Sequence, residues 1–254
     1  MTTTLIGSTG FVGTTLLRQS NFDNCYHSAD IGEIDGRHFD CVFCAAAPAK
    51  KWYANLHPEE DRACIDALIG HLRTVSAERF VLISTVDVFK SPVNVDENTD
   101  IDIEELQPYG YNRRRLELFV NEHFKNRLIV RLPGLVGTGL KKNIIYDFKH
   151  QNELSKIESD NVFQFYPMKN LYKDINIALD NGLSLIHLTA APVSVNEVAK
   201  SAFNLDFENH PGKGLVSYDF KTVYGSLWGR SADYQYDKNE SLQAIKEYAA
   251  EELR

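Results

Sequence analysis

Three side chains near the middle of the sequence have types and spacing that suit acid–base chemistry. Tyr109 and Arg113 are four residues apart in a segment with a helical pattern, so they share one face of a helix. Thr85 ends a strongly apolar run, and we expect its hydroxyl to meet the Tyr109 phenol. A tyrosine in this position can donate a proton to a carbonyl oxygen or remove one from an alcohol. We expect the nearby cation to lower the pKa of the phenol and to favour the phenolate.

Each of these residues also has an ordinary structural interpretation. Thr85 suits the cap of a turn, Tyr109 suits an amphipathic anchor, and the arginine run from Arg113 to Arg115 suits a solvated helix face. Tyr111 with Arg115 keeps the same four-residue spacing and is an alternative register. The spacing alone therefore leaves both the roles and the register open.

A glycine turn at the start of the chain is predicted to hold a dinucleotide. The run Thr3 to Ile6 is apolar and β-prone, and Gly7, Gly10 and Gly13 follow it at three-residue spacing. A strand, a tight glycine turn and a helix in this order place backbone N–H groups where a diphosphate binds. Glycines that serve only the packing of the strand against the helix are the alternative, because short motifs often match by chance.

Strands and helices alternate along the first half of the chain. Strands are predicted at Asn24 to Ser28, Asp40 to Ala47, Arg79 to Ser84 and Leu128 to Leu132, and helices at Pro58 to Val75 and Tyr109 to His123, with a polar loop from Ser91 to Gln107. This alternation predicts an α/β fold with a doubly wound, mostly parallel sheet that helices cover on both faces. Later helices are predicted at Asn143 to His150, Met168 to Asn181, Ser194 to Phe203 and Asn239 to Leu253, with a strand at Ser184 to Leu188.

The composition favours a soluble metabolic protein over a polyanion binder. The 254 residues carry a net charge of −8, which argues against a general partner among nucleic acids or anionic membranes. No apolar run approaches the roughly 18 residues that span a bilayer. The first residues lack the basic and apolar regions of an export signal, so we expect a cytoplasmic location.

The cysteines do not predict a metal or redox site. Cys41 and Cys44 have the spacing of such a motif, but they lie in an apolar run that reads as a buried strand. Residues three apart on a strand point to opposite faces. There is no second Cys/His pair at zinc spacing, so we predict buried thiols and no metal.

The sequence resembles the short-chain dehydrogenase/reductase superfamily, in particular its extended branch of NAD-dependent epimerases, dehydratases and nucleotide-sugar reductases. The segments that carry the resemblance are Gly7 to Gly13, Ala45 to Ala47, Ser84 to Phe89, Pro108 to Glu117 and Arg131 to Gly137. The resemblance implies a Rossmann fold with a small C-terminal substrate-binding portion. Residues 1–135 would form the dinucleotide-binding core, and 136–254 would combine the substrate-binding portion with a returning strand and helices of that core.

The resemblance also implies roles for individual residues. Thr85 would orient the substrate oxygen, Tyr109 would be the general acid/base, and Arg113 would hold the nicotinamide ribose and tune Tyr109. Glu117 falls where the branch often has an acid, and this match favours the Tyr109 register. The implied cofactor-binding residues are Gly7, Thr9, Gly10, Phe11, Val12, Gly13, Ala45, Ala46, Ala47, Tyr109 and Arg113.

Two departures from the family pattern bear on activity. The family's lysine is Arg113 here; arginine supplies charge and hydrogen bonds but stays protonated, so it does not easily join a proton relay. The family often has an asparagine in the helix after the alanine strand, where this chain has Ala63 to Ile65. The chain is also short for this branch.

The residues at the end of the second predicted strand bear on whether the chain binds NAD or NADP. Asp30 suits hydrogen bonds to an adenosine ribose and favours NAD, whereas Ser28 at the strand tip would tolerate the 2′-phosphate of NADP. We therefore expect NAD or NADP, with a preference for NAD. Arg37 is several residues away.

The predicted function is that of an NAD(P)-dependent oxidoreductase or epimerase-type enzyme. Its substrate would be a carbonyl or secondary alcohol of a nucleotide sugar or a similar phosphorylated small molecule. A catalytically weak NAD(P)-binding sensor or scaffold is the alternative, and the family implies a homodimer. The predicted substrate-binding residues are Lys51, Trp52, Asp87, Arg131, Lys141, Lys142 and Asn143, for which solvated loop positions are the alternative.

Overall fold

A computed structural model of the chain describes residues 2–212, 214–230 and 233–252. The chain forms two compact units. The first contains residues 1–90, 99–131 and 171–186, and the second contains 91–98, 132–170 and 187–254. The chain thus leaves the first unit at 91–98 and again after residue 131, and it returns through 171–186.

The described residues form strands and α-helices along the whole of their length. The strands are β1 (Thr3–Ile6), β2 (Asn24–Tyr26), β3 (His38–Cys44), β4 (Ser76–Thr85), β5 (Val93–Val95), β6 (Arg127–Leu132), β7 (Gly134–Val136), β8 (Val162–Phe163), β9 (Phe165–Pro167), β10 (Leu185–His187), β11 (Val193–Ser194) and β12 (Asp219–Phe220). The helices are α1 (Phe11–Gln19), α2 (Lys51–Leu56), α3 (Pro58–Leu72), α4 (Pro108–His123), α5 (Ile144–His150), α6 (Leu171–Asp180), α7 (Val195–Phe203) and α8 (Lys238–Ala250).

A six-stranded sheet organises the first unit, with the order β10-β6-β4-β3-β1-β2. The pairs β1–β2, β1–β3 and β3–β4 are parallel. The strand order reverses at β1, whose neighbours on either side are the next two strands of the chain. This reversal is a topological switch point, where ligands bind in doubly wound sheets. The prediction of a doubly wound, mostly parallel sheet is confirmed.

Helices cover both faces of this sheet, as the sequence predicts. On one face, Val42 and Cys44 of β3 belong to an apolar core with Leu68 of α3 and Leu116 of α4. On the other face, the Phe43 ring stacks on Tyr172 of α6, with 5.8 Å between ring centroids. The alternation of side chains along β3 supplies both cores.

The same alternation separates the two cysteines of β3. Cys44 lies in the core under α3 and α4, and Cys41 points to the other face. Both are free thiols, and burial raises the pKa of each to about 11. The prediction that Cys41 and Cys44 are buried thiols is confirmed.

The turn after β1 closes tightly on the end of β3. Gly7 has a φ of +91°, which favours glycine, and a Cβ built there would lie 2.5 Å from the carbonyl carbon of Ala45. A Cβ on Gly13 in α1 would lie 2.1 Å from the Gly7 oxygen. The backbones of strand, turn and helix therefore approach as closely as the glycine pattern predicts.

The second unit contains α5, α7, α8 and three two-stranded sheets, which pair β11 with β8, β12 with β5 and β7 with β9. A capping box begins α7, because the Ser194 hydroxyl accepts from the Glu197 N–H and the Glu197 carboxylate accepts from the Ser194 N–H. Asp237 and Glu240 form a second capping box at α8. The predicted last helix extends to Leu253, which lies outside the described residues.

The sequence pattern does not reveal α2 or the short paired strands. Within the predicted loop from Ser91 to Gln107, β5 pairs with β12, which is more than one hundred residues later. Among the described residues, no helix is both long enough and apolar enough to cross a membrane.

Two helical glycines test the importance of the close approach. Gly13→Ala is expected to lower the free energy of unfolding by about 1–3 kcal/mol, because the new methyl group overlaps the Gly7 carbonyl. Gly70 is exposed on α3, and a Cβ there would have nothing within 4 Å, so Gly70→Ala should raise stability by about 0.5–1 kcal/mol. Urea unfolding of both variants measures the difference, and equal effects would contradict the close packing.

Candidate active site

The start of α1 suits an anion. Gly10 is the N-cap, no side chain caps the helix, and its first turn contains no acidic residue. The N–H groups of a first turn have no partner within the helix and carry a partial positive charge. Thr9 and Gly10 are exposed, and the atom nearest to a Cβ on Gly10 would be 3.6 Å away. The turn therefore leaves room for a diphosphate beside the N–H groups of Phe11 and Val12.

The alanines after β3 line the other side of the switch point. The Ala45 N–H donates to the carbonyl of Ile6 at the end of β1, at 2.8 Å. Ala45, Ala46 and Ala47 are half-buried, and the last two pack against the core under α3 and α4. With alanine at all three positions, only methyl side chains follow the buried end of β3 at this edge of the sheet.

The residues after β2 are held in a local turn. The strand ends at Tyr26, before the predicted tip at Ser28, which is exposed. One Asp30 carboxylate oxygen accepts from the His27 N–H at 2.6 Å. Arg37 lies over the rings of Tyr26 and Phe39, 5.8 and 5.1 Å from their centroids. The Asp30 carboxylate, which is predicted to bind a ribose, thus also holds the local turn through its hydrogen bond with His27.

Thr85 and Asp87 form a compact turn at the end of β4. The Thr85 hydroxyl accepts from the Asp87 N–H at 3.2 Å and so caps a short helical turn at Val86–Val88. Lys51 of α2 pairs with Asp87 across 2.6 Å between Nζ and Oδ1. A Cβ on Gly110 would lie 2.0 Å from the backbone carbonyl oxygen of Asp87, so α4 packs directly on this turn.

Tyr109 is buried beside this turn, with 8% of its surface exposed. Its N–H donates to Asn55 Oδ1 of α2 at 3.0 Å, and the Arg113 guanidinium lies 3.9 Å from the centre of its ring. Burial raises the pKa of the phenol; Arg113 and Lys51 oppose this rise and Asp87 adds to it. Arg113 acts in the expected direction, but the prediction of a lowered pKa is wrong, because desolvation outweighs the attraction of the cation.

Arg113 is buried and bound to the protein itself. Its Nη1 contacts Asp61 of α3 in an ion pair, and its Nη2 donates to the Pro48 carbonyl. Asn112 Nδ2 donates to the same Asp61 carboxylate at 2.8 Å. Among the described residues, no partner reaches the buried Nε of Arg113. The predicted ribose-binding cation is therefore already paired, and one donor remains unused.

Sequence patterns alone do not single out Asp61, Asn55 and Asn112. A signal exists for Asp61, which precedes the buried Ile65 by four residues and so shares the inward face of α3. An acid on the apolar stripe of a helix needs a buried cation, and Arg113 is that cation. Asn55 carries no comparable signal, because the pattern does not predict α2.

The alternative register points elsewhere. Tyr111 is 38% exposed, and Arg115 pairs with Asp66 on α3, with 2.7 Å between Nη2 and Oδ1. Tyr109 and Arg113, in contrast, lie next to the turn that follows Thr85, because Gly110 packs on the backbone of Asp87. This placement favours the Tyr109 register.

Arg131 lies in a buried ion-pair network rather than on a surface. It is 3% exposed, and its guanidinium binds both carboxylate oxygens of Glu117, at 2.9 and 2.8 Å. The Ser84 hydroxyl donates to Glu117 at 2.6 Å, and Arg114 donates at 2.8 Å. This placement indicates that Arg131 joins β6 to α4 and β4, so we leave it out of the proposed substrate site.

The other predicted substrate residues fall in both units. In the first unit, Trp52 is 66% exposed on α2, next to Lys51. In the second unit, Lys141 and Lys142 are exposed. Asn143 caps α5: its side chain accepts from the N–H groups of the first turn. The structure thus gives Asn143 a helix-capping role.

One group of potential metal ligands occurs among the described residues of the second unit. Carboxylate atoms of Glu158 and Asp160 and a ring nitrogen of His210 lie within 4.8 Å of one another. The hydrogen bond between His210 and Glu158, at 2.7 Å, raises the pKa of the imidazole. We assign this group to an ion pair that joins two loops.

Comparison with protein-family models and with curated proteins gives no match. Solved structures do match over almost the whole chain. A dTDP-4-dehydrorhamnose reductase from Clostridium acetobutylicum is 18% identical, with a TM-score of 0.68 and 98% of each chain covered. The same enzyme from Bacillus anthracis, in complex with NADP, is 18% identical, with a TM-score of 0.67 over 98% of this chain and 99% of that one. A UDP-glucose 4-epimerase from Thermotoga maritima, with UDP-glucose, is 16% identical, with a TM-score of 0.72 over 98% of each chain.

The chain has the fold of these enzymes. At such low identity the likeness establishes the fold and not the activity. It confirms the prediction of a Rossmann-type α/β architecture, with the switch point between β1 and β3.

The buried carboxylate of Glu117 offers a test of the network around the site. Glu117→Gln is expected to lower the free energy of unfolding by about 3–5 kcal/mol, because it leaves Arg131 buried without its counter-ion. Glu122 is exposed on the same helix, and Glu122→Gln should change stability by less than about 0.5 kcal/mol. Denaturant unfolding of the two variants measures the contrast; a small loss for both would show that Arg131 does not depend on Glu117.

Proposed function

We propose that the protein is an NAD(P)-dependent enzyme of the oxidoreductase or epimerase type. One observation supports this most strongly: the uncapped glycine turn at the β1–β3 switch point and the group around Tyr109 both follow the carboxyl ends of strands in one sheet. That edge is where doubly wound sheets bind ligands. A dinucleotide bound by its diphosphate at α1 would extend along this edge past Ala45.

The proposed substrate is a small molecule with a carbonyl or a secondary alcohol, of the nucleotide-sugar class. The similar structures support this class, since they include a dTDP-sugar reductase and an epimerase with UDP-glucose. In this chain, Lys51 and Trp52 offer a cation and an exposed aromatic face next to Asp87. A cation suits a phosphate and an aromatic face suits a sugar or base.

The proposed chemistry follows from the residues around Tyr109. The cofactor, when bound, supplies or accepts a hydride. Thr85 would orient the substrate oxygen through its hydroxyl. Tyr109 would exchange a proton with that oxygen at Oη, and Arg113 would offer its unused Nε–H to the ribose. The buried surroundings of Tyr109 would exclude water from this transfer.

A second function has a specific observation in its favour. The charge of Arg113 is neutralised by Asp61, and burial raises the pKa of Tyr109. Both features weaken the phenolate form, which removal of a proton from an alcohol requires. We therefore keep a catalytically weak NAD(P)-binding sensor or scaffold as the alternative.

Three finer predictions accompany the proposal. A preference for NAD over NADP rests on Asp30, whose carboxylate also holds the local turn. A homodimer and a cytoplasmic location stay predictions from the family resemblance and from the composition.

A substitution at Gly10 tests cofactor binding with little expected effect on folding. Gly10→Ala is expected to weaken NAD(P) binding about tenfold or more, because a methyl group would occupy the approach to the α1 N–H groups. Its stability should change by no more than about 1 kcal/mol, since Gly10 is exposed and its new methyl group would make only an ordinary contact. Calorimetric titration with NAD and NADP measures binding, and Gly70→Ala is the control that should bind normally. Unchanged binding in Gly10→Ala would count against a diphosphate at this turn.

Tyr109→Phe distinguishes the enzyme from the sensor. If the protein is an enzyme, this variant should lose activity about 100-fold or more on a nucleotide-sugar panel while it still binds the cofactor. Nicotinamide absorbance follows the oxidoreductase reaction, and chromatography of the sugars follows epimerisation. A sensor would bind NAD(P), turn over no member of the panel and show no effect of Tyr109→Phe. Full activity in Tyr109→Phe would refute the assigned role of the phenol.

A further inference from the structure

Two ion pairs flank Tyr109. One joins Arg113 to Asp61, and the other joins Lys51 to Asp87. The two cations favour the phenolate and the two acids oppose it. Because each pair has no net charge, the charges offset one another and burial dominates the state of the phenol.

The two pairs differ in how far water screens them. The side chains of Arg113 and Asp61 are each 3% exposed, whereas Lys51 is 46% exposed and Asp87 is 19% exposed. Exposed charges are screened by water and salt, and buried charges much less so. Loss of one buried partner would therefore leave an unscreened charge 3.9 Å from the Tyr109 ring centre.

We propose that Asp61 is a positioning residue for Tyr109: it fixes the Arg113 guanidinium against the phenol ring and offsets its charge. The proposal rests on the proposed function, since that function assigns proton transfer to Tyr109. Asn112 holds the Asp61 carboxylate at 2.8 Å, and the Pro48 carbonyl holds the other end of the guanidinium. The cation thus has one defined position over the ring.

The Arg113–Asp61 pair bears on the proton that Tyr109 exchanges with the substrate. When Tyr109 donates this proton during reduction of a carbonyl, its O–H bond breaks and an O–H bond forms at the substrate oxygen, with the hydride supplied by the reduced nicotinamide cofactor. The tyrosinate that remains lies beside the Arg113 guanidinium, and the reverse transfer restores the phenol.

The chain contains a matched control for Asp61. Asp66 lies on the same helix and pairs with Arg115 of α4, with side chains 46% and 26% exposed. Asp66→Asn removes an acid from the same helix pair without touching the charges beside Tyr109. A general effect of weaker α3–α4 pairing would appear in both variants.

A titration of Tyr109 in the cofactor-free, full-length chain tests the proposal. NMR of isotope-labelled tyrosine follows the ionisation of each ring, and Tyr109→Phe assigns the signal. Asp61→Asn is expected to raise the tyrosinate-to-phenol ratio of Tyr109 about tenfold at a given pH, because Arg113 loses its counter-ion. Asp66→Asn should titrate as the wild type does.

Two results would overturn the proposal. The first is a folded Asp61→Asn variant in which Tyr109 titrates as in the wild type. If Asp61→Asn does not fold, Asp61→Glu serves instead. This variant keeps the negative charge, so Tyr109 should titrate as in the wild type. A tenfold change in the tyrosinate-to-phenol ratio of Asp61→Glu is the second result. The titration needs no cofactor, so a protein that shows the Asp61 effect but binds no NAD(P) would refute the proposed function alone.

Discussion

The contact between the turn after β1 and the end of β3 constrains the whole first unit. Gly7 and Ala45 meet with no space for a side chain between them, and Gly13 brings α1 down onto the same turn. The contact fixes the start of α1 relative to the sheet edge. The uncapped N–H groups of that helix, the small alanines and the group around Tyr109 then follow as one continuous edge.

The second half of the site is a cluster of two cations and two acids around the Tyr109 phenol. Tyr109 is surrounded by two cations and two acids, and its low exposure raises its pKa. The Lys-to-Arg departure from the family motif makes sense in this setting. A guanidinium has enough donors to bind Asp61, the Pro48 carbonyl and a ribose, whereas an ammonium is a point charge. Arg113 and Asp61 are therefore best understood as a single unit.

Local patterns predicted most of the fold and only part of the site. The spacing of apolar residues and glycines predicted β1, the main helices and the parallel sheet, because these depend on neighbours along the chain. The same local patterns indicated Thr85, Tyr109 and Arg113 as candidates for the site. Asp61 has only a local signal, its place on the buried face of α3, and its partner Asn112 is 51 positions away along the chain. The raised pKa of Tyr109 was not predicted, since burial is a property of the folded chain.

A crystal structure of the protein grown with NAD or NADP would show where the cofactor binds. We expect a dinucleotide with its diphosphate against the N–H groups at the start of α1, next to Gly10. We expect the nicotinamide ring between the Ala45 strand end and Tyr109, with the Arg113 Nε–H on the ribose. A dinucleotide bound elsewhere, or none bound at saturating concentration, would refute the proposed cofactor site.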